Sequence, residues 1–495
     1  MKKLMAPIAI LAGMLALLLI LTAPNQWRPG TLRRLETLAR RPVWFDNFAI
    51  QWHHGLGLAL KKVTIYSSDQ TAVQMQVDEI TAVPKPSSFF KKKVELSSVS
   101  IRKKEGYIVR DSNGNFALTG LQNPDATGIP IRDLDIMLKN VSGNDPVPVT
   151  GSLAVFSKTD NVKVRAVWDP KAPNELSNAH IEVDLGKVNA AELERRYSAL
   201  AGFMIERIEG ILTIDAEKIV FDRKRVFENP IRVKATGGLF KSARAGAAFE
   251  EGEFHLIASD NKISAWDLSF QYSGGRVRVS GNAVDLDTDP KIGFKLGVDA
   301  VSFEDIQGLP EQLRDRFKGI CTLTLSGKTG GLSPQSLLKR LTADGHLHVD
   351  SGRFIGVGVM RDLLARLPVE APAGLKAKYG GQDTPFNAAD LSFHVTDQGI
   401  RSDDISVETE AFTAEGVCRA ATSGALKGNF ILSINESISG EVIGSDPELA
   451  AAANRAGVIQ IPVERGGTLD RPVITADMSQ LDHMQTGALR AAAAE

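Results

Sequence analysis

Few residues in this chain have the types and spacing that catalysis or metal binding requires. The segment LSGKTGG at 325–331 has the Gly-Lys-Thr ending of a phosphate-binding loop. That loop needs a glycine five residues before the Gly-Lys glycine, and Thr322 stands there, so the segment reads as a strand running into a turn. DSNGNFALTGLQ, from Asp111, starts like a calcium loop. Its glycine falls at the fourth position rather than the sixth, and Gln122 stands where the bidentate glutamate belongs. Asn113-Gly114 is instead a hairpin turn. His346 and His348 share one face of a strand but have no third ligand nearby in sequence, and His53-His54 point to opposite faces. No nucleophile elbow or paired-acid constellation is present. The expectation is a protein without catalytic residues, metal or cofactor.

The elements that would carry any site are mostly strands. Gly is frequent, 44 of 495 residues, and aromatic residues make up only 6%. Short segments alternate apolar and polar residues with a period of two: QTAVQMQVDEITAVP, NVKVRAVW, GGRVRVSGNAVDL, PKIGFKLGVDAVSF, KGICTLTLSG and GNFILSIN. Such a period gives each strand one apolar and one polar face. The chain reads as at least twenty short strands joined mainly by hairpin turns, with no parallel crossover units. Two mainly β architectures follow. One is a long antiparallel curled sheet whose apolar face lines a groove. The other is a pair of β-sandwiches whose apolar faces meet as cores.

A few helices interrupt the strands. Asn189 to Met204 carries Asn189 as cap and an apolar stripe through Leu193, Tyr197 and Leu200. Ser302 to Phe317 reads as a second helix, broken at Gly308-Leu309-Pro310. Ser333 caps a third, with Pro334 in its first position, running through Leu341. A fourth covers Gly358 to Leu367, followed by a Gly/Ala/Pro loop, and Ser445 to Ala456 is a further helix.

The N-terminus differs from everything after it. Leu4 to Ala23 is a twenty-residue run without charge, including Leu4, Ile8, Leu11, Leu15, Leu18 and Leu21. At ~1.5 Å per residue it spans roughly 30 Å, the thickness of a bilayer core. Leu21-Thr22-Ala23 before Pro24 is a poor cleavage site, which favours an uncleaved anchor over a removed signal. An amphipathic helix over Thr31 to Arg41 follows Trp27. Arg28, Arg33, Arg34, Arg40 and Arg41 in this stretch are candidate contacts for lipid headgroups. These arginines outnumber Lys2 and Lys3, so charge counting alone keeps the body in the cytoplasm; against that, long domains cross largely regardless of charge. The basic clusters Lys61-Lys62, Lys91 to Lys93 and Arg102 to Lys104 have two readings: solvated outer faces, or, because they lie in the membrane-proximal part, contacts for anionic headgroups at ~1 kcal/mol each.

A net charge of -1 provides no broad basic field for nucleic acid. Cys321 and Cys418 are compatible either with one bridge or with two thiols on strands. The boundaries read as an anchor at 1–24, an N-terminal β region with juxtamembrane helix at 25–200, a middle β region at 201–342, a C-terminal β region at 343–480, and an Ala-rich tail at 481–495.

In its ordered set of segments the chain resembles the AsmA-like envelope proteins, a group that includes TamB and YhdP. The resemblance rests on the single anchor, the VTIYSS strand, ELSSVSIRKKEGYIVRDSNGNF, EGILTIDAEKIVF, YSGGRVRVSGNAVDLDTDPKIGFKLGVDAVSFEDI, FKGICTLTLSGKTGGLSPQSLLKRLTADGHLHVDSGRFIGVGVMRDLL, TPFNAADLSFHVTDQGIRSDDISVETEAFTAEGVCRA and the closing IPVERGGTLDRPVITAD. It covers nearly the whole chain and is weakest over 120–200. It implies an inner-membrane protein with its body in the periplasm of a Gram-negative cell. It also implies an apolar β-taco groove and a role in outer-membrane homeostasis through phospholipid transport. Candidate lining residues on alternating strand positions are Val162, Val164, Val277, Val279, Ile292, Phe294, Leu296, Leu323, Leu325, Phe430, Leu432 and Ile434. The competing expectation is a non-catalytic scaffold that assembles other envelope proteins.

Overall fold

The computed structural model describes residues 42–476, apart from 53–55, 67–72, 88–94, 111–115, 121–127, 143–144, 173–174, 197–203, 221–228, 243–247, 260, 287, 307–314, 332, 366–371, 446–452 and 468–471. The anchor, the arginine-rich helix, Lys91 to Lys93, His53-His54, the Asn113-Gly114 turn and the Ala-rich tail lie outside the described residues.

The strands are β1 (Val43–Trp44), β2 (Asn47–Trp52), β3 (Leu56–Tyr66), β4 (Val73–Pro84), β5 (Leu96–Arg110), β6 (Phe116–Thr119), β7 (Ile129–Val141), β8 (Val147–Val155), β9 (Val162–Trp168), β10 (Glu175–Asp184) and β11 (Ile205–Val220). They continue as β12 (Ile231–Ser242), β13 (Ala248–Ser259), β14 (Lys262–Tyr272), β15 (Gly275–Val284), β16 (Lys291–Ser302), β17 (Phe317–Gly330) and β18 (Thr342–Phe354). The last six are β19 (Thr384–Thr396), β20 (Gly399–Glu408), β21 (Phe412–Ala421), β22 (Leu426–Ile434), β23 (Gln460–Gly467) and β24 (Pro472–Ala476). All 24 belong to one sheet, so the reading as paired sandwiches does not hold. The helices are short: α1 (Ala190–Arg196), α2 (Pro334–Lys339), α3 (Val359–Leu364), α4 (Ala373–Tyr379) and α5 (Glu436–Ser445).

The chain divides into two compact units, Met1–Gly237 with Leu256–Asp260, and Gly238–His255 with Asn261–Glu495. In the first unit, β1 and β2 lie end to end along one edge of β3. On β5, β4 and β6 share one edge in the same way, and β7 takes the other. From β7 to β11 each strand pairs antiparallel with the next. In the second unit the same meander runs unbroken from β14 to β24.

Bulges interrupt the alternation at defined places. Asp133, Asn178 and Ala300 have φ of 49°, 49° and 53°, each where the strand register shifts. An extra residue there bends the strand and lets residues three apart face the same side. Thus Ile131 and Leu134, and likewise Val298 and Val301, pack into the same clusters.

Local signals explain the helix starts. Asn189 Oδ1 accepts the Glu192 N–H at 3.2 Å and opens α1. Ser333 and Ser336 form a reciprocal capping box on α2, with Pro334 in the first turn. Of the helix expected over Ser445 to Ala456, 446–452 lie outside the described residues, and a helix not expected from the sequence covers Glu436–Ser445, where Asn435 accepts the Ser437 N–H on its side chain at 3.0 Å. Ala453 instead bridges to Ile459 across a turn. The segment read as a Gly/Ala/Pro loop holds α4, which starts directly after Pro372 and buries Leu375. Of the Ser302–Phe317 helix, Phe303–Asp305 is a single 3-10 turn, 307–314 lie outside the described residues, and Phe317 already belongs to β17.

Candidate functional site

The site is a sheet face, built by register. Cross-strand partners in an antiparallel ladder point to the same side. In the second unit, one row runs Leu268–Val279–Leu296–Leu325–Gly345–Phe393 across β14 to β19. The next runs Phe270–Val277–Val298–Leu323–Leu347–Leu391 across the same six strands. No charged or hydrogen-bonding side chain stands in either row. Every member is half-buried rather than enclosed.

Aromatic rings lie over glycines of neighbouring strands on this face. A Cβ at Gly281 would stand 2.9 Å from the Trp266 ring, and one at Gly327 would stand 2.9 Å from Phe294 Cζ. Gly345 is covered by the Phe393 ring in the same manner. Each ring thereby lies along the sheet rather than standing out from it, which covers backbone that glycine would leave bare.

The opposite face of these strands is polar. Lys295, Ser326 and Asp344 form one row across β16 to β18, and Thr324, His346 and Ser392 form another across β17 to β19. His348 Nδ1 lies 2.7 Å from Asp390 Oδ1, and His394 Nδ1 lies 2.7 Å from Asp344 Oδ1. His348 and His394 are therefore cross-strand partners of carboxylates, and His346 is the ladder partner of Ser392. Asp404 accepts from Ser392, whose hydroxyl and backbone N–H hold its carboxyl below the usual range. Among the described residues no three His, Cys, Asp or Glu side chains group as a metal site. LSGKTGG is strand through Gly330. Cys321 is buried, and burial pushes its thiol up, while Cys418 is half-buried on β21.

The apolar face closes towards one side. There Val301, Cys321, Val349 and Phe386 form an enclosed cluster with the 3-10 turn at Phe303, which Tyr272 Oη latches by donating to Asp305 O at 2.7 Å. Further along, α3, α4 and α5 cover β21 to β23 over Met360, Leu375, Phe412, Ile438 and Ile461. Ser439, fully buried on α5, donates to Ile434 O at 3.1 Å and accepts from Ile459 N–H at 3.1 Å, pinning the helix to the sheet.

The first unit repeats the arrangement. One row runs Phe48–Leu60–Ile80–Ile101–Ile136–Gly151–Val164–Ile181–Ile214, from β2 to β11. A second runs Leu58–Ala82–Val99–Leu138–Val149–Ala166.

The twelve sequence-derived lining residues fall into three settings. Val162, buried, and Val164, half-buried, belong to the first unit's face. Val277, Val279, Ile292, Phe294, Leu296, Leu323 and Leu325 lie together on the open face of the second unit. Leu432 and Ile434 lie in the helix-covered cluster, with Phe430 packed against it. Register adds Leu268, Phe270, Val298, Leu347, Leu391 and Phe393. Alternation within ISAWDLSFQY and NAADLSFHV was the signal for most of them. The anchor residues and Arg28 to Arg41 lie outside the described residues.

Fold and site define a mainly β antiparallel protein that presents half-covered apolar sheet faces. Comparison of the chain with protein-family models, with curated proteins and with solved structures finds no match.

Proposed function

We propose that the chain is an AsmA-like, single-pass inner-membrane protein with its body in the periplasm. In this reading it binds phospholipid and conducts it along the apolar sheet faces in outer-membrane biogenesis, without catalysing a reaction. The observation that supports this is the pair of apolar rows across β14 to β19, each six strands wide and none of it enclosed. Leaving such rows open forgoes the stabilisation that burial supplies, about 25 cal/mol per Å². An acyl chain laid on them recovers ~0.8 kcal/mol per CH₂ removed from water. The headgroup stays wet, so the lipid moves along the rows without its chains crossing water.

Lipid extraction and mass spectrometry of the full chain, purified and then exchanged out of detergent, test the reading. Phospholipid should co-purify with the wild type and be lost in Phe294→Asp, with far-UV circular dichroism unchanged. Wild type free of lipid, with an envelope protein co-purifying instead, would overturn transport in favour of a scaffold. A reporter fused to the C-terminus should be active only if it folds in the periplasm.

A further inference from the structure

We infer that Lys103 is an anion anchor set in the apolar face of the first unit, where it holds the acidic headgroup, phosphate or carboxylate, of an acyl-chain amphiphile. The inference rests on the acyl-chain reading above and adds to it the polar end of the ligand and its position.

Among the described residues Lys103 is the only buried charged side chain, 4% exposed. It follows Ile101 on the same face of β5, and its ladder partner on β7 is Leu134, itself buried. Gly106 makes room for it: a Cβ there would collide with Lys103 Cε and stand 2.6 Å from the Thr119 carbonyl oxygen. The neighbouring charges are turned outwards and engaged elsewhere. Lys104 and Glu105 are exposed, and Arg102 pairs with Asp135 at 3.5 Å. Asp78, whose charge acts on Lys103, is exposed and accepts the Lys104 N–H at 2.7 Å.

The Lys103 ammonium makes no hydrogen bond or ion pair with any described residue. It is not sealed in either, because the only enclosed and unpartnered side-chain nitrogen or oxygen among the described residues is Ser402 Oγ. Its nitrogen therefore keeps some contact with solvent. Burial outweighs the attraction of Asp78 and lowers its proton affinity. A cation kept there without a partner lowers stability, and an incoming anion would supply the missing contact. A free anion would find one cation whose described ladder neighbours on this face, Ile101, Leu134 and, opposite Gly106, Ile131, carry no donor side chain. An anion carrying an acyl chain adds the burial of its tail along the adjoining row.

The test measures binding of a fluorescent C16 fatty acid, of its methyl ester and of inorganic phosphate to the full chain, in wild type, Lys103→Met and Lys103→Arg. Lys103→Met should weaken the acid about tenfold or more, as expected for a lost charge-assisted contact, and leave the ester unchanged. Lys103→Arg should restore the acid, and phosphate should not displace it. Equal binding of the acid in wild type and Lys103→Met, with the ester also bound, overturns the anchor and leaves the acyl-chain reading intact. Binding of neither acid nor ester to wild type overturns both. Displacement of the acid by millimolar phosphate makes this a free-anion site and overturns the amphiphile assignment. Thermal melts of both variants establish that they are folded.

Discussion

The two units build their apolar faces by the same rule and finish them differently. Each lays apolar side chains in rows across consecutive strands through ladder register alone. In the second unit the two rows from β14 to β19 carry no charge, and the sheet is sealed further along by three helices over β21 to β23. In the first unit the buried Lys103 pairs across the ladder with Leu134, a member of an apolar cluster. Alternation supplies a continuous apolar surface cheaply, and helices or single charged residues then decide where it is sealed and where it is marked.

Sealed and open parts of the second unit should respond very differently to truncation. Ile461, 1% exposed beneath the helices, should lose about 2–5 kcal/mol on change to Ala, read from the denaturant midpoint. Leu325→Ala on the open face should cost well under half of that. Equal costs would mean that the open face is a packed core. Next in size is Ser439→Ala, which leaves the Ile459 N–H unpaired in the core and should cost about 1–3 kcal/mol.

Lys103→Met should act in the opposite direction and raise the melting temperature. The folded state holds the Lys103 proton less tightly than the unfolded chain, whose lysine has the ordinary value of 10.5. Wild-type stability therefore rises with pH between the lowered folded value and 10.5. The advantage of Lys103→Met should be full below that window and fade above it, and a pH-independent gain would contradict the charge argument. The smallest effect belongs to the polar face. Asp344→Asn removes the pairing with the half-exposed His394 and should change the stability read from the denaturant midpoint by less than about 1 kcal/mol.

Much of this was legible in the sequence. Period-two alternation identified strands such as NVKVRAVW and PKIGFKLGVDAVSF, and with them Val164, Phe294 and Leu296 as members of an apolar face. Pairing was less legible, because register depends on where bulges fall. Ala300 shifts the phase of β16, so Val298 and Val301 face together although they are three apart. Helices α4 and α5 were missed because AGLKAKY and ESISGEVIGS carry glycines and weak helix formers, and packing over β21 to β23 overrides that propensity. Lys103 was misread with its neighbours. Three consecutive basic residues suggest a solvated run, yet a strand turns alternate side chains to opposite faces, and Ile101 already marked the inner one.

The rings laid over Gly281, Gly327 and Gly345 bear on how any guest would experience the surface. A ring standing upright would corrugate the face and give a flexible chain deep, discrete resting places. Flat rings over glycines fill the dips instead, so the surface offers shallow, nearly equivalent positions. Affinity on such a surface scales with guest length and is nearly blind to its branching or unsaturation, while barriers to sliding stay low. Widening one position, as in Gly327→Val, would tilt Phe294 and insert a single step into that smooth profile, slowing movement more than it weakens binding.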